Sequence, residues 1–143
     1  MATIAIQVGD APQVEAFLAQ RIYEYNASAT GYNAESFTAL RHEGEAVQAG
    51  VCGYTWGGCC YVSYLWVAES SRHKGLGGEL LDAVERHACE KGCKQVVLWT
   101  HSFQAPAFYT RRGYRLTARI ADHPVGYSSG LYVKRLEAQT AGV

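Results

Sequence analysis

The chain has 143 residues, 48% hydrophobic and 18% charged, a size and balance that favour one globular domain and exclude a disordered or collagen-like chain. Thirteen Lys and Arg against thirteen Asp and Glu leave no formal net charge. The basic footprint of a nucleic-acid or anionic-membrane binder is therefore missing, and a small molecule or a protein is the expected partner.

The start, Met1 to Val8, has neither the basic opening nor the long apolar stretch of a signal peptide, and no run nears the ~18 apolar residues that cross a bilayer. A cytoplasmic location is expected. Five cysteines are an odd number, and Cys52, Cys59 and Cys60 sit in strand-like apolar segments where a thiol behaves as a small hydrophobe, so reduced thiols are expected. His87, Cys89 and Cys93 straddle a helix end at Gly92 and lack a second paired half, so no metal is expected. No linker or repeat divides the chain, which reads as one domain over residues 1–137 with a frayed tail over 138–143.

Thr3 to Val8 alternates and predicts a first strand. Gly9-Asp10-Ala11-Pro12 ends it, with Asp10 as a helix cap and Pro12 in the first turn. Val14, Phe17, Leu18, Ile22 and Tyr25 recur at helical spacing and predict a helix from Val14 to about Tyr25, followed by a polar loop or irregular helix through Asn33. Phe37 to Arg41 is a strand. Glu43-Gly44 and Gly57-Gly58 are turn signals that imply two successive antiparallel links. The run Cys59 to Val67 carries no charge, which a strand tolerates when both faces are covered, so it is expected at the centre of the sheet.

From Glu79 to Lys91, Leu80, Leu81, Val84 and Ala88 mark one helical face, and Gly92 supplies the stop. Val96 to Trp99 is a buried strand, parallel to the previous one because a right-handed crossover links them. Pro106 to Arg112 is a short helix closed by Gly113, and Tyr114 to Ile120 and Gly130 to Leu136 are the last strands.

The most informative stretch is Ser70-Ser-Arg72-His73-Lys74-Gly75-Leu76-Gly77-Gly78-Glu, between the charge-free strand and the amphipathic helix. Three glycines and two cations at a helix N-terminus make an anion site, because N–H groups point outward, the helix dipole is positive there, and glycine allows close approach. A phosphorylated cofactor suits it. The P-loop pattern fails, since no second glycine precedes Lys and Ser or Thr. The dinucleotide fingerprint fails because Leu80 stands where its last glycine belongs.

Arg72-x-x-Gly75-x-Gly77, after a strand ending Leu65-Trp66-Val67 and before a Leu80-Leu81 helix, resembles the acetyl-CoA motif of the GNAT superfamily of N-acetyltransferases. Ala105-Pro-Ala-Phe108-Tyr109-Thr-Arg-Arg-Gly113-Tyr114 is similar to the same family's late helix. The resemblance implies an α/β (α+β) acyl-CoA N-acyltransferase fold, a mixed sheet of about six to seven strands with helices on both faces. It implies acetyl-CoA as co-substrate, with Leu65, Trp66 and Val67 on its pantetheine arm and the amides of Arg72, His73, Lys74, Gly75, Leu76 and Gly77 on its pyrophosphate. Gly78 would add clearance. Ser102 stands where the family often has an Asn that contacts the ligand, and it reaches less far.

By the same resemblance the reaction is direct attack of a small molecule's primary amine on the thioester through a tetrahedral intermediate, with Tyr109 protonating the leaving sulfur. The base is unassigned; Glu69, His101, Asp122 and His123 are candidates. Tyr25, Asn26, Tyr32, Tyr54, Trp56, Asp122 and Tyr127 are the aromatic and polar residues expected around the acceptor. A homodimer is common in the family. Three alternatives stand beside this reading: a non-catalytic acyl-CoA-binding module, an acceptor on a protein lysine or N-terminus, and transfer through Cys59 or Cys60.

Overall fold

In a computed structural model the chain is described over residues 3–137, and the tail expected to fray, 138–143, lies outside them. Its contacts form two compact units, Met1–Asn33 and Ala34–Val143.

In the first unit no strand forms over Thr3–Val8. Alternation suits a strand, but a strand exists only through a partner's ladder, and Ile4, Ile6 and Val8 stay exposed. Helix α1 spans Pro12–Thr30 with proline in its first turn; Ala11 is the N-cap, without a side-chain bond, so Asp10 does not cap it. The segment after Tyr25, expected as a loop or an irregular helix, continues α1 because nothing breaks it before Gly31, which takes a left-handed φ of 77° and donates its N–H to the Ala27 carbonyl. Thr30 Oγ1 donates to the Asn26 carbonyl at 2.7 Å. The apolar residues of α1 lie at helical spacing, yet none is buried.

The second unit is built on strands β1 (Glu35–Glu43), β2 (Ala46–Trp56), β3 (Cys59–Val67), β4 (Gln95–His101), β5 (Arg115–Ala121) and β6 (Ser128–Arg135). They form one sheet in the order β1-β2-β3-β4-β6-β5. Both expected hairpin links are present, and Gly44, Gly57 and Gly58 carry the positive φ that tight turns need. Helix α2 (Leu76–Glu90) returns the chain from β3 to β4, which makes that pair parallel. Helix α3 (Pro106–Arg111) precedes β5.

Leu76, Leu80, Leu81, Val84 and Ala88 of α2 are buried with Ala49, Val51, Cys60, Val62, Val96 and Leu98 of the sheet. Each large apolar side chain so placed stabilises the fold by about 1.5–3 kcal/mol. Polar contacts hold α2 to the later elements: Lys134 pairs with Glu85, Tyr114 donates to Glu85 at 3.3 Å, and Arg112 pairs with Asp82 at 3.1 Å. They fix the helix whose N-terminus carries the glycine turn.

The five cysteines are free thiols. Burial pushes the Cys60 thiol up to about 12, and burial beside Glu85 raises the Tyr114 phenol. A folded group with a raised value keeps its proton where the unfolded chain gives it up. Its stabilisation is therefore complete below the ordinary value, near 9 for a thiol, and is lost as pH climbs from there towards 12. The melting temperature should fall by roughly 5 °C or more between pH 8 and pH 10.5, and Cys60→Ala, though less stable at pH 7, should melt with a shallower alkaline decline. A scanning calorimetry series checks both.

Candidate active site

Along β3 the apolar residues turned to the core run Cys60 and Val62, both buried, then Leu65 and Val67, both half-buried, so the step of two becomes three at Ser63. The register shows the cause. Cys52 of β2 faces Tyr64 and Gly53 faces Val62, leaving Ser63 as a surplus residue in a bulge. Pairing with β4 stops at the same place: Cys59 to Val62 oppose Gln95 to Leu98, and beyond them β3 and β4 have no common ladder. Residues 63–67 thus present to the β4 side a strand edge that can accept an extended ligand.

Gly53 is the residue that lets this bulge form. A Cβ there would lie 2.0 Å from the Tyr61 carbonyl oxygen and 2.8 Å from the Phe37 ring. Gly53→Ala should therefore destabilise the protein by about 2 kcal/mol or more, in the range of overpacked cores, as read by urea denaturation.

The cover expected on both faces of β3 is found only in its first half, where Cys60 and Val62 are buried on one face and Cys59 and Tyr61 half-buried on the other, while in its second half Tyr64 and Trp66 are 77% and 53% exposed. Amphipathic aromatic rings, which tolerate partial exposure, take the place of charge there. Of the three residues expected to offer free backbone groups, Val67 does so only in part: Arg72 Nε donates to its carbonyl at 3.2 Å.

The chain leaves β3 through a 3₁₀ turn, Glu69–Ser71, and then twists sharply. His73 and Gly75 both take left-handed conformations, with φ of 64° and 81°, which turns successive N–H groups to one side. The first N–H taken up by the helix is that of Glu79, on the Gly75 carbonyl at 3.0 Å. The N–H groups of Leu76, Gly77 and Gly78 precede it and start the helix dipole without a side-chain cap. Space over Gly75 is open for 4 Å around a notional Cβ, and over Gly77 the nearest atoms are of Phe108 at 3.4 Å and Val67 at 3.7 Å. With the exposed Arg72 and Lys74 alongside, this donor set fits a pyrophosphate, and the free edge of β3 fits the arm attached to it.

Gly78 also gives room to a side chain of the protein itself. It is buried, and a Cβ there would meet Arg112 Nη2 at 2.5 Å, so its room is filled by the guanidinium that pairs with Asp82. Leu76 likewise sends its side chain into the core and leaves only its amide to the turn.

Tyr109 stands on α3, half-buried, with its ring edge-on to Phe108 and Tyr114. Burial raises its phenol above the ordinary value near 10, so the proton is held at neutral and mildly alkaline pH. Ser102 follows β4; its hydroxyl accepts the Ser128 N–H at 3.1 Å and its own N–H donates to the Ser128 carbonyl at 2.8 Å. It therefore closes the β4–β6 ladder.

Among the other candidates, Tyr54 and Trp56 pair with Tyr61 and Cys59 at the closed end of β3, away from residues 63–67. Cys59 and Cys60 share that end, and burial holds both thiols above the ordinary range. Tyr25, Asn26 and Tyr32 belong to the first unit. Glu69 lies in the exposed 3₁₀ turn. His101, His123 and Tyr127 gather at the end of β4 with Phe103, while the Asp122 carboxylate accepts the Gly126 N–H. Phe103, Gln104 and Arg112 were not singled out from sequence. For Arg112 the adjoining Gly113 of the late-helix motif was a signal; for the other two there was none.

The sequence model of the acetyltransferase (GNAT) family matches residues 6–114. Blasticidin-S acetyltransferase of Streptomyces morookaense is 43% identical over 88 residues, which are 61% of this chain and 65% of that protein. The crystal structure of an acetyltransferase from Bacillus cereus is 34% identical, with a TM-score of 0.76 over 93% of this chain and 98% of its own. An aminoglycoside 6′-N-acetyltransferase solved with coenzyme A shares the fold, with 13% identity and a TM-score of 0.64 over 71% of this chain and 73% of that one.

Proposed function

The chain belongs to the acetyltransferase (GNAT) family, and from that premise we propose that it transfers an acetyl group from acetyl-CoA to a primary amine of a small molecule by direct attack. The single observation that carries this reading is the juxtaposition of a ligand-accepting strand edge over residues 63–67 with an anion-binding turn that begins five residues beyond it. Coenzyme A has a diphosphate joined to an extended, amide-containing arm, and these two features match it in order.

When bound, acetyl-CoA supplies the activated acetyl thioester. The chain's part is to bind, orient and move protons. The amides of His73 to Gly77, with Arg72 and Lys74, hold the pyrophosphate, and backbone groups of Leu65 and Trp66 hold the arm as a partner strand would. Unpaired N–H groups of β3 are placed to stabilise negative charge on the acyl oxygen. Tyr109, kept protonated by burial, donates to the departing sulfur.

The small-molecule acceptor is supported by the name of the Streptomyces morookaense relative, an acetyltransferase of blasticidin S, and by the exposed aromatic residues Trp66 on β3, Trp99 on β4, and Phe103 and Tyr127, which pack on each other beyond it. These rings suit a ligand with flat, unsaturated parts. The coenzyme A complex of a protein with this fold supports the co-substrate. A panel of amines incubated with acetyl-CoA and read by release of free thiol tests the proposal. Amine-dependent release is expected for a small heteroaromatic amine; acetyl-CoA binding with no release for any amine would favour the non-catalytic module.

A further inference from the structure

We propose that His101 is the catalytic base, accepting the proton of the acceptor ammonium at Nε2 directly or through one water; this rests on the acetyl-transfer reading above. His101 ends β4, beyond Leu98, where β3 has already parted from it. Its Nδ1 lies 3.0 Å from the His123 carbonyl oxygen. A carbonyl only accepts, so Nδ1 carries the proton, and in the neutral ring Nε2 is left with the lone pair.

Three further contacts fix the ring and its segment. It stacks on Phe103 at 5.3 Å with an interplanar angle of 4° and meets the edge of His123 at 5.3 Å, and the segment that carries it is held where the His101 backbone N–H donates to Gln104 Oε1 at 2.8 Å. His123 is in turn held, its Nδ1 lying 2.9 Å from Ser129 Oγ, and Tyr127 packs edge-on against Phe103. A ring clamped on one nitrogen, with the other making no hydrogen bond among the described residues, is the arrangement of an oriented general base.

Its position suits the reaction. Along β4, Val96, Leu98 and Thr100 are buried on the α2 face, so alternation puts Trp99 and His101 on the opposite face. Tyr109 packs on Tyr114 and Tyr132 of the buried core on the α2 side. Acid and base therefore stand on opposite faces of the sheet, with the gap between β3 and β4 connecting them. The amine enters from one side and the sulfur leaves towards the other. In the step, the ammonium N–H breaks and Nε2–H forms, and the freed lone pair attacks the acyl carbon as the carbonyl electron pair moves to oxygen; on collapse the C–S bond breaks with the sulfur taking the Tyr109 proton, the nitrogen's second proton returns through water to the Tyr109 phenolate, and the imidazolium returns its proton to solvent. The titratable groups in contact with the clamp are His123 at its edge and Tyr127 across Phe103; the nearby Asp122 carboxylate is turned to Gly126.

The test is His101→Asn, whose side-chain N–H can replace the donor to the His123 carbonyl but cannot act as a base. The expected result is a loss of kcat by about 100-fold or more, disappearance of the acid limb of the kcat/KM pH profile, unchanged acetyl-CoA affinity, and partial rescue by added imidazole. Turnover with the acid limb intact in His101→Asn overturns the proposal while leaving acetyl transfer standing. Failure of the wild-type protein to bind acetyl-CoA overturns the functional reading itself. Nitrogen NMR of the imidazole decides independently of turnover: a neutral His101 protonated at Nδ1 supports the assignment, and one protonated at Nε2 overturns it.

Discussion

Replacing Tyr109 by Phe should lower kcat by roughly 100-fold to 10,000-fold, the range of a lost general acid, with acetyl-CoA affinity changed less than threefold. The phenol makes no hydrogen bond among the described residues, and its ring contacts with Phe108 and Tyr114 survive the change, so the variant should melt close to the parent. A loss of kcat and kcat/KM together, with binding preserved, marks an interaction made only in the transition state. The sign of the shift matters. Because burial raises the Tyr109 value, the alkaline limb that it contributes should lie above pH 10, where the ordinary phenol titrates, and should vanish in the variant. Steady-state kinetics and isothermal calorimetry on the same preparations provide the check; equal turnover would remove the acid assignment.

The second large effect is expected at Gly77. The nearest atoms to a Cβ there are 3.4 Å away on Phe108 and 3.7 Å away on Val67, which is ordinary contact. Gly77→Ala should fold at least as well as the parent, since alanine in a helix gains up to about 1 kcal/mol over glycine. Gly77→Glu should also fold, because an acidic residue in the first helical turn complements the dipole. It places a carboxylate among the N–H groups intended for a pyrophosphate, however, and should weaken acetyl-CoA binding by about 100-fold or more, which corresponds to about 2.7 kcal/mol. The comparison separates folding from binding, since only the anion distinguishes the two variants at the turn. Undiminished affinity in Gly77→Glu would locate the pyrophosphate elsewhere.

Most of the architecture was legible because it is local. The turn signals Glu43-Gly44 and Gly57-Gly58 marked both hairpins, the charge-free run marked the inner strand, and the spacing of Leu80, Leu81, Val84 and Ala88 gave a helix whose buried face is the one observed. The glycine turn was legible too, because anion binding at a helix start depends on neighbours in sequence. What escaped depends on distant partners. Thr3–Val8 has the alternation of a strand, but pairing is supplied by another segment and none is formed. The close neighbour of Gly78 is Arg112, thirty-four positions later, which no local spacing announces. The clamp on His101 needs the register that sets it opposite Ser129, together with the fold of the β5–β6 connection, and no spacing within either segment announces it.

Ser63 carries a consequence for how such a site arises. Shortening β3 by that one residue would restore the step of two along it and remove the offset at which its pairing with β4 ends. The parting of these two strands thus coincides with a single inserted amino acid rather than with any reactive group, and a scaffold of this kind opens by miscounting once.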